Sequence, residues 1–199
     1  MNGKRFIPLI GGAIFQQLYN VVDTMIVGRF VGVDALAAVG STGSLNFLII
    51  GFVLGLAAGF GIPIAQAFGA REEKRMLQTI MNAFYFFSIV LTILTHFTTE
   101  TLLQWMQTPA NIFKQSYDYI SIIFYGLTCT IAYNFLASVS RALGDSKTPL
   151  IFLIISSVLN VVLDLSMIIN FHMGVRGAAL ATVIAQGISA VLCFIYMAK

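Results

Sequence analysis

PLIFLIISSVLNVVLDLSMIINF, residues 149 to 171, carries a single charged side chain, Asp164. As a helix rising about 1.5 Å per residue it reaches roughly 35 Å, enough to cross the ~30 Å of hydrocarbon in a bilayer. Five further runs of the same kind occupy residues 6 to 28, 38 to 60, 79 to 97, 119 to 140 and 177 to 197. They predict six transmembrane helices joined by short connectors, so that residues 1–199 form one six-helix unit with no soluble domain. Each run is continuously apolar across a full span. Barrel strands alternate over about ten residues, so an all-α membrane protein is expected.

Composition agrees. Hydrophobic residues make up 58% of the chain and charged residues 10%, against about 25% charged in soluble domains; the mean hydropathy is +0.90. Lys4 and Arg5 ahead of the first run resemble the start of a signal peptide. The run carries Gln16, Gln17, Asn20 and Asp23 and shows no small-residue cleavage site, so it reads as a retained helix. Cys129 and Cys193 have no motif spacing and read as packing residues. The net charge of +3 is spread over connectors without a cluster, which argues against nucleic acid as a partner. His96 and His172 lack ligand spacing, and no phosphate loop, zinc helix or nucleophile elbow occurs, so neither an enzyme nor a structural metal or cofactor is expected.

The basic residues set an orientation. With the N-terminus inside, Lys4, Arg5, Arg71, Lys74, Arg75, Arg141, Lys147 and Lys199 are cytoplasmic, and Arg29, Lys114 and Arg176 are external. The positive-inside rule then places both termini in the cytoplasm. GAREEKRM and RALGDSKTP become cytoplasmic turns, and TTETLLQWMQTPANIFKQSYDY a longer external connector whose Trp105, Tyr117 and Tyr119 fit an interfacial aromatic belt.

Two carboxylates, Asp23 and Asp164, fall well inside predicted spans with no Lys or Arg at their depth. Counted from the external ends, Asp23 lies roughly 7 Å deep, Asp164 roughly 10 Å, and Thr182 at a similar level. Helical spacing groups Gln16, Asn20 and Asp23 on one face, Ser156, Asn160 and Asp164 on a second, and Thr182, Gln186 and Ser189 on a third. Each carboxylate costs about 2.5–3.5 kcal/mol on insertion scales. Interhelical hydrogen-bond glue is the plainer explanation, but Asp seldom serves that way. The sharper one is a cation site: low dielectric and a second carboxyl favour a neutral form that can switch near physiological pH, and the deprotonated oxygens can hold Na⁺.

Weaker signals accompany these. Gly51, Gly55 and Gly59 form a small-residue stripe suited to close packing of another helix. Pro8, near Gly11 and Gly12, is either a bending point or simply tolerated near a helix start. Tyr125 reaches the layer of the aspartates, where it either lines a cavity or packs.

The ordered set YNVVDTMIVGRFVGVDALAAVG, AQAFGAREEKR, RALGDSKTP and GVRGAALATVIAQ resembles the multidrug and toxic compound extrusion (MATE) family of secondary transporters over essentially the whole chain. The resemblance implies the N-terminal lobe of a twelve-helix plasma (inner) membrane exporter, which exchanges organic cations or amphipathic drugs for H⁺ or Na⁺. It implies a cation site at Asp23, Asn160, Asp164 and Thr182, a cavity tyrosine at Tyr125, a helix-bending role for Pro8, and no cofactor besides the coupling ion; the polar faces add Gln16, Asn20 and Gln186 as expected cavity-lining residues. Partners would be the lipid bilayer, the drug, and a second lobe or second copy to complete the inter-lobe cleft. A lipid-linked sugar flippase-like half, which should line its cavity with more basic residues, and a truncated non-transporting membrane protein remain alternatives.

Overall fold

The computed structural model describes residues 18, 20–145 and 147–197. Helix α1 covers residues 20–30, followed by α2 (Val33–Gly69), α3 (Glu73–Trp105), α4 (Ala110–Tyr125), α5 (Leu127–Ala142), α6 (Lys147–Leu165) and α7 (Gly174–Met197). A π-helical turn, Ser166–Asn170, extends α6. Among the described residues four helices are long and apolar enough to cross a membrane, and α4 with α5, bent by 48°, make a fifth if the pair is taken as one span. The sixth expected span, residues 6 to 28, lies mostly outside the described residues, as do Pro8 and Gln16.

The helices overrun the apolar segments. α2 has 37 residues, about 55 Å of helix, and α3 has 33. Hydropathy reports membrane depth, whereas backbone hydrogen bonding carries a helix on into polar residues. The expected external connector is therefore corrected: α3 runs to Trp105 and α4 starts at Ala110, leaving a break of only a few residues. Trp105 and Tyr117 are exposed, consistent with an interfacial position, but Tyr119 is buried in the core and does not belong to the belt.

Among the described residues four helices end on a residue in the left-handed region, namely Arg71 (φ 58°), Gln107 (φ 54°), Gly144 (φ 96°) and, after the π-helical turn, His172 (φ 53°). After each, the next amide turns back onto the end of the helix: Glu72 to Ala67, Thr108 to Leu103, Asp145 to Ser140 and Met173 to Met167. Only the third uses glycine, the residue that adopts this conformation without strain. Gln107→Gly is expected to raise stability by about 1 kcal/mol, read as a higher thermal unfolding midpoint.

α6 begins on a side-chain cap. Asp145 Oδ1 accepts from the amides of Lys147 and Thr148, both at 3.1 Å. The hydrogen bond from the Thr148 side chain, with help from those two amides and Tyr196, holds the Asp145 carboxyl below the usual carboxylate range. A depressed folded-state value means that the cap stabilises above the unfolded value and is lost as pH falls through the folded one. Asp145→Ala should cost about 1 kcal/mol at pH 7. The gap between variant and wild type should close as melting is followed into strong acid.

The core sits between α1, α2, α4 and α7, where Ile26, Val27, Val39, Ile120, Phe124, Ala178 and Ala179 pack together. α7 is the central helix. Its buried face is built largely of small residues, among them Ala178, Ala181, Ala185, Ser189 and Ala190, which lets neighbouring backbones approach where no hydrophobic force separates protein from lipid. At the Gly174 end of α7 an ion pair from Arg176 to Asp118, 2.9 Å, ties α7 to α4.

Gly51, Gly55 and Gly59 depart from expectation. All three are exposed, and an added Cβ at any of them would meet nothing within 4 Å. No described helix packs on the stripe, and Gly51 instead lines an open cavity.

Candidate cation and substrate site

One face of the helix bundle encloses a cavity of about 1360 Å³, walled by residues of α1, α2, α4, α5, α6 and α7. α2 contributes a nearly smooth wall because Gly40, Gly43, Gly51, Ala58, Gly61 and Ala65 recur on the side that faces it. Apolar side chains such as Ile50, Leu54, Ile123 and Leu153 cover much of the rest.

The polar stripes of α1, α6 and α7 converge at this cavity. Asn20, Asp23, Thr182 and Gln186 line it directly. Asp164 and Asn160 lie behind them, 0% and 2% exposed, while Asp23 is 7% exposed. The side chains of Asp23 and Asp164 lie close enough to interact electrostatically. Two neighbouring carboxyls buried in low dielectric favour a proton or another cation shared between them over two bare negative charges.

The neighbouring hydrogen bonds consume donors and leave acceptors. Asn160 Nδ2 donates to Thr182 Oγ1 at 3.2 Å, and the Thr182 hydroxyl donates to the Ala178 carbonyl at 3.1 Å. That arrangement turns the Asn160 carbonyl oxygen toward the interior. Asp23 Oδ1, Asn160 Oδ1, both carboxylate oxygens of Asp164 and Gln186 Oε1 are all buried without a hydrogen-bond partner. An unsatisfied buried group costs about 1–3 kcal/mol, and here every unsatisfied group is an oxygen. Hard cations take such oxygen ligands, and the carboxylates among them can take a proton instead. Immediately after Asp164 the helix widens into the π turn, where Phe171 N reaches Ser166 O at 3.2 Å; such turns recur at functional sites.

Part of the stripe is glue after all. Ser189 Oγ donates to the Phe152 carbonyl at 3.2 Å, a plain bond between α7 and α6. Tyr125 is a correction: it is 59% exposed, with its ring against His96 at 5.3 Å, and it is not among the residues lining the cavity. The bend after Tyr125 rotates α4 relative to α5, so depth alone could not tell which side the ring would take. The tyrosines that do line the cavity are Tyr119 and Tyr133. Sequence reading missed both, along with Gln66, Asn134 and Arg141; the last had been read only as an orientation charge. The signal for α2 was available in the spacing of Gly40, Gly43 and Gly51, which share a face with Leu54 and Ala58.

The family model described as MatE matches residues 8–166. The probable multidrug resistance protein YoeA of Bacillus subtilis is 34% identical over 97% of this chain and 43% of its own length. A MOP superfamily transporter from Pyrococcus furiosus, solved in a study of reverse binding-pocket polarity, superposes with a TM-score of 0.85 at 25% identity, over 96% of this chain and 43% of that one. An outward-facing multidrug resistance MATE family transporter gives the same TM-score, identity and coverage. The chain thus spans less than half the length of the relatives it matches, and corresponds to one lobe of them. It is a multi-pass membrane protein, and it belongs to the MatE family of multidrug efflux transporters, not to a family of enzymes.

Proposed function

We propose that the chain is the N-terminal lobe of a plasma (inner) membrane antiporter that exports organic cations or amphipathic drugs in exchange for H⁺ or Na⁺. Residues 1–199 would supply six spans with both termini cytoplasmic, and a second lobe or second copy would close the cavity. The observation that carries this reading is the cluster of buried, unpartnered oxygens from Asp23, Asp164, Asn160 and Gln186 at an open, largely apolar cavity. Asp23 faces the cavity and would meet either an organic cation or the coupling ion, while Asp164 and Asn160, with Thr182 orienting the amide, would hold the ion. Export and ion entry are coupled only if drug and ion prefer different states of the lobe. Loading the Asp23 and Asp164 pair and displacing an organic cation from Asp23 would supply that difference.

The lipid-linked sugar exporter expects several basic residues in the cavity. Among the described lining residues only Arg141 is basic, so the cation reading is preferred. The test uses the transporter as its own cell makes it, reconstituted in liposomes. An inward proton or sodium gradient should accelerate outward movement of a fluorescent organic cation at least tenfold, and separate gradients identify the ion. A rate insensitive to both would discard the proposal.

A further inference from the structure

Arg141 is the only basic side chain among the described residues lining the cavity, and no described carboxylate forms an ion pair with it. It stands in the last turn of α5. Near the other end of α5, Gly126 packs against Val183, the neighbour of Thr182 in the aspartate layer. Arg141 is therefore roughly 22 Å further along the helix axis. The two ends of one cavity thus carry opposite charge, with walls between them that are largely apolar apart from neutral groups such as Thr130 and Asn134.

The groups around Arg141 do not neutralise it. Its Nη2 donates to Ser138 Oγ at 2.9 Å, one of five N–H donors on a guanidinium. Tyr133, on the same helix, gives its hydroxyl proton to the Pro149 carbonyl at 2.9 Å. Asp145, close in sequence, is turned toward the amides of Lys147 and Thr148 and the Tyr196 hydroxyl. From α2 the cavity wall offers Gln66, which is uncharged. Arg141 faces the cavity and has no protein counter-charge among the described residues.

Resting on the reading of the cavity as the export site, we infer that Arg141 is an anion subsite. It receives the carboxylate or phosphate of an elongated zwitterionic amphiphile whose cationic end lies at Asp23. Guanidinium binds either oxyanion through paired N–H donors, and the separation of the poles selects for length. The same chemistry occurs in an anionic lipid headgroup, so the experiment separates the two sources.

The transporter as its cell makes it is placed in phosphatidylcholine nanodiscs. Hexadecylamine, 16-aminohexadecanoate and the methyl ester of the latter are then measured by displacement of a fluorescent organic cation. The amino acid is expected to bind at least tenfold more tightly than its ester, and Arg141→Gln to bring it down to the affinity of the ester. Equal affinities in wild type, a comparison that needs no variant, overturn the inference, as does a tenfold preference surviving in Arg141→Gln. A preference that persists when phosphatidylglycerol is added supports a transported anion; one that phosphatidylglycerol abolishes reassigns the subsite to lipid and overturns the substrate. Failure of hexadecylamine to bind counts instead against the cation reading of Asp23.

Discussion

Asp164→Asn in the intact transporter is expected to reduce gradient-driven export of an organic cation to the leak of protein-free liposomes, and Asp23→Asn to do the same. Asparagine keeps the shape of the side chain but neither releases a proton nor neutralises a sodium ion, so the coupling ion loses its charge partner. The effect on stability should run the other way. An amide at position 164 brings N–H donors next to the Asp23 carboxyl, whose Oδ1 has no hydrogen-bond partner. Each bond so formed contributes about 0.5–1.5 kcal/mol. The variant should therefore melt at or above the wild-type midpoint while transporting nothing. If the aspartates served only to join helices, both variants would lose stability and the remaining folded protein would still export. Wild-type export in both variants would remove the cation site from the proposal.

How much of this was legible in the sequence differs between depth and direction. Apolar length located the spans of α2, α3, α6 and α7, because burying twenty or so uncharged residues in lipid is a property of composition alone. Depth counting with helical spacing also brought Asp23 and Asp164 to one layer, and the two side chains lie close enough to interact. Helix ends were not legible, since polar residues such as Thr101 and Gln104 continue α3 beyond the apolar run without a break. Nor was direction around the axis once a helix bends. Tyr119 and Tyr125 lie six residues apart on α4, yet one lines the cavity and the other turns to His96. Arg141 was misjudged for a related reason: the positive-inside rule accounts for a basic residue at that end of a span and says nothing about what its side chain faces.

Gly126→Ala is expected to be the most damaging single methyl in the described fold. The residue sits at the bend between α4 and α5 with φ −82°, an ordinary value, so glycine is not required there for backbone freedom. It is required for space: a Cβ at Gly126 would overlap both γ-methyls of Val183 and stand 2.8 Å from its Cβ. In an unconstrained helix Gly→Ala gains up to about 1 kcal/mol, whereas forcing a methyl into a packed seam costs about 1–3 kcal/mol. Gly187, in the same α5 and α7 seam, provides the control, because its added Cβ would reach Cys129 Sγ at 3.4 Å, an ordinary contact. Gly187→Ala should be neutral or stabilising, while Gly126→Ala should lower the unfolding midpoint by several degrees. Val183→Ala removes the two methyls in the way and should recover part of that loss in the double variant. Val183 adjoins Thr182, so displacing α7 would also move the hydroxyl away from Asn160. Export in Gly126→Ala should fall more steeply than the folded fraction does. A midpoint raised by Gly126→Ala would mean that the seam is looser than described, and that the bend rather than Val183 holds α5 in place.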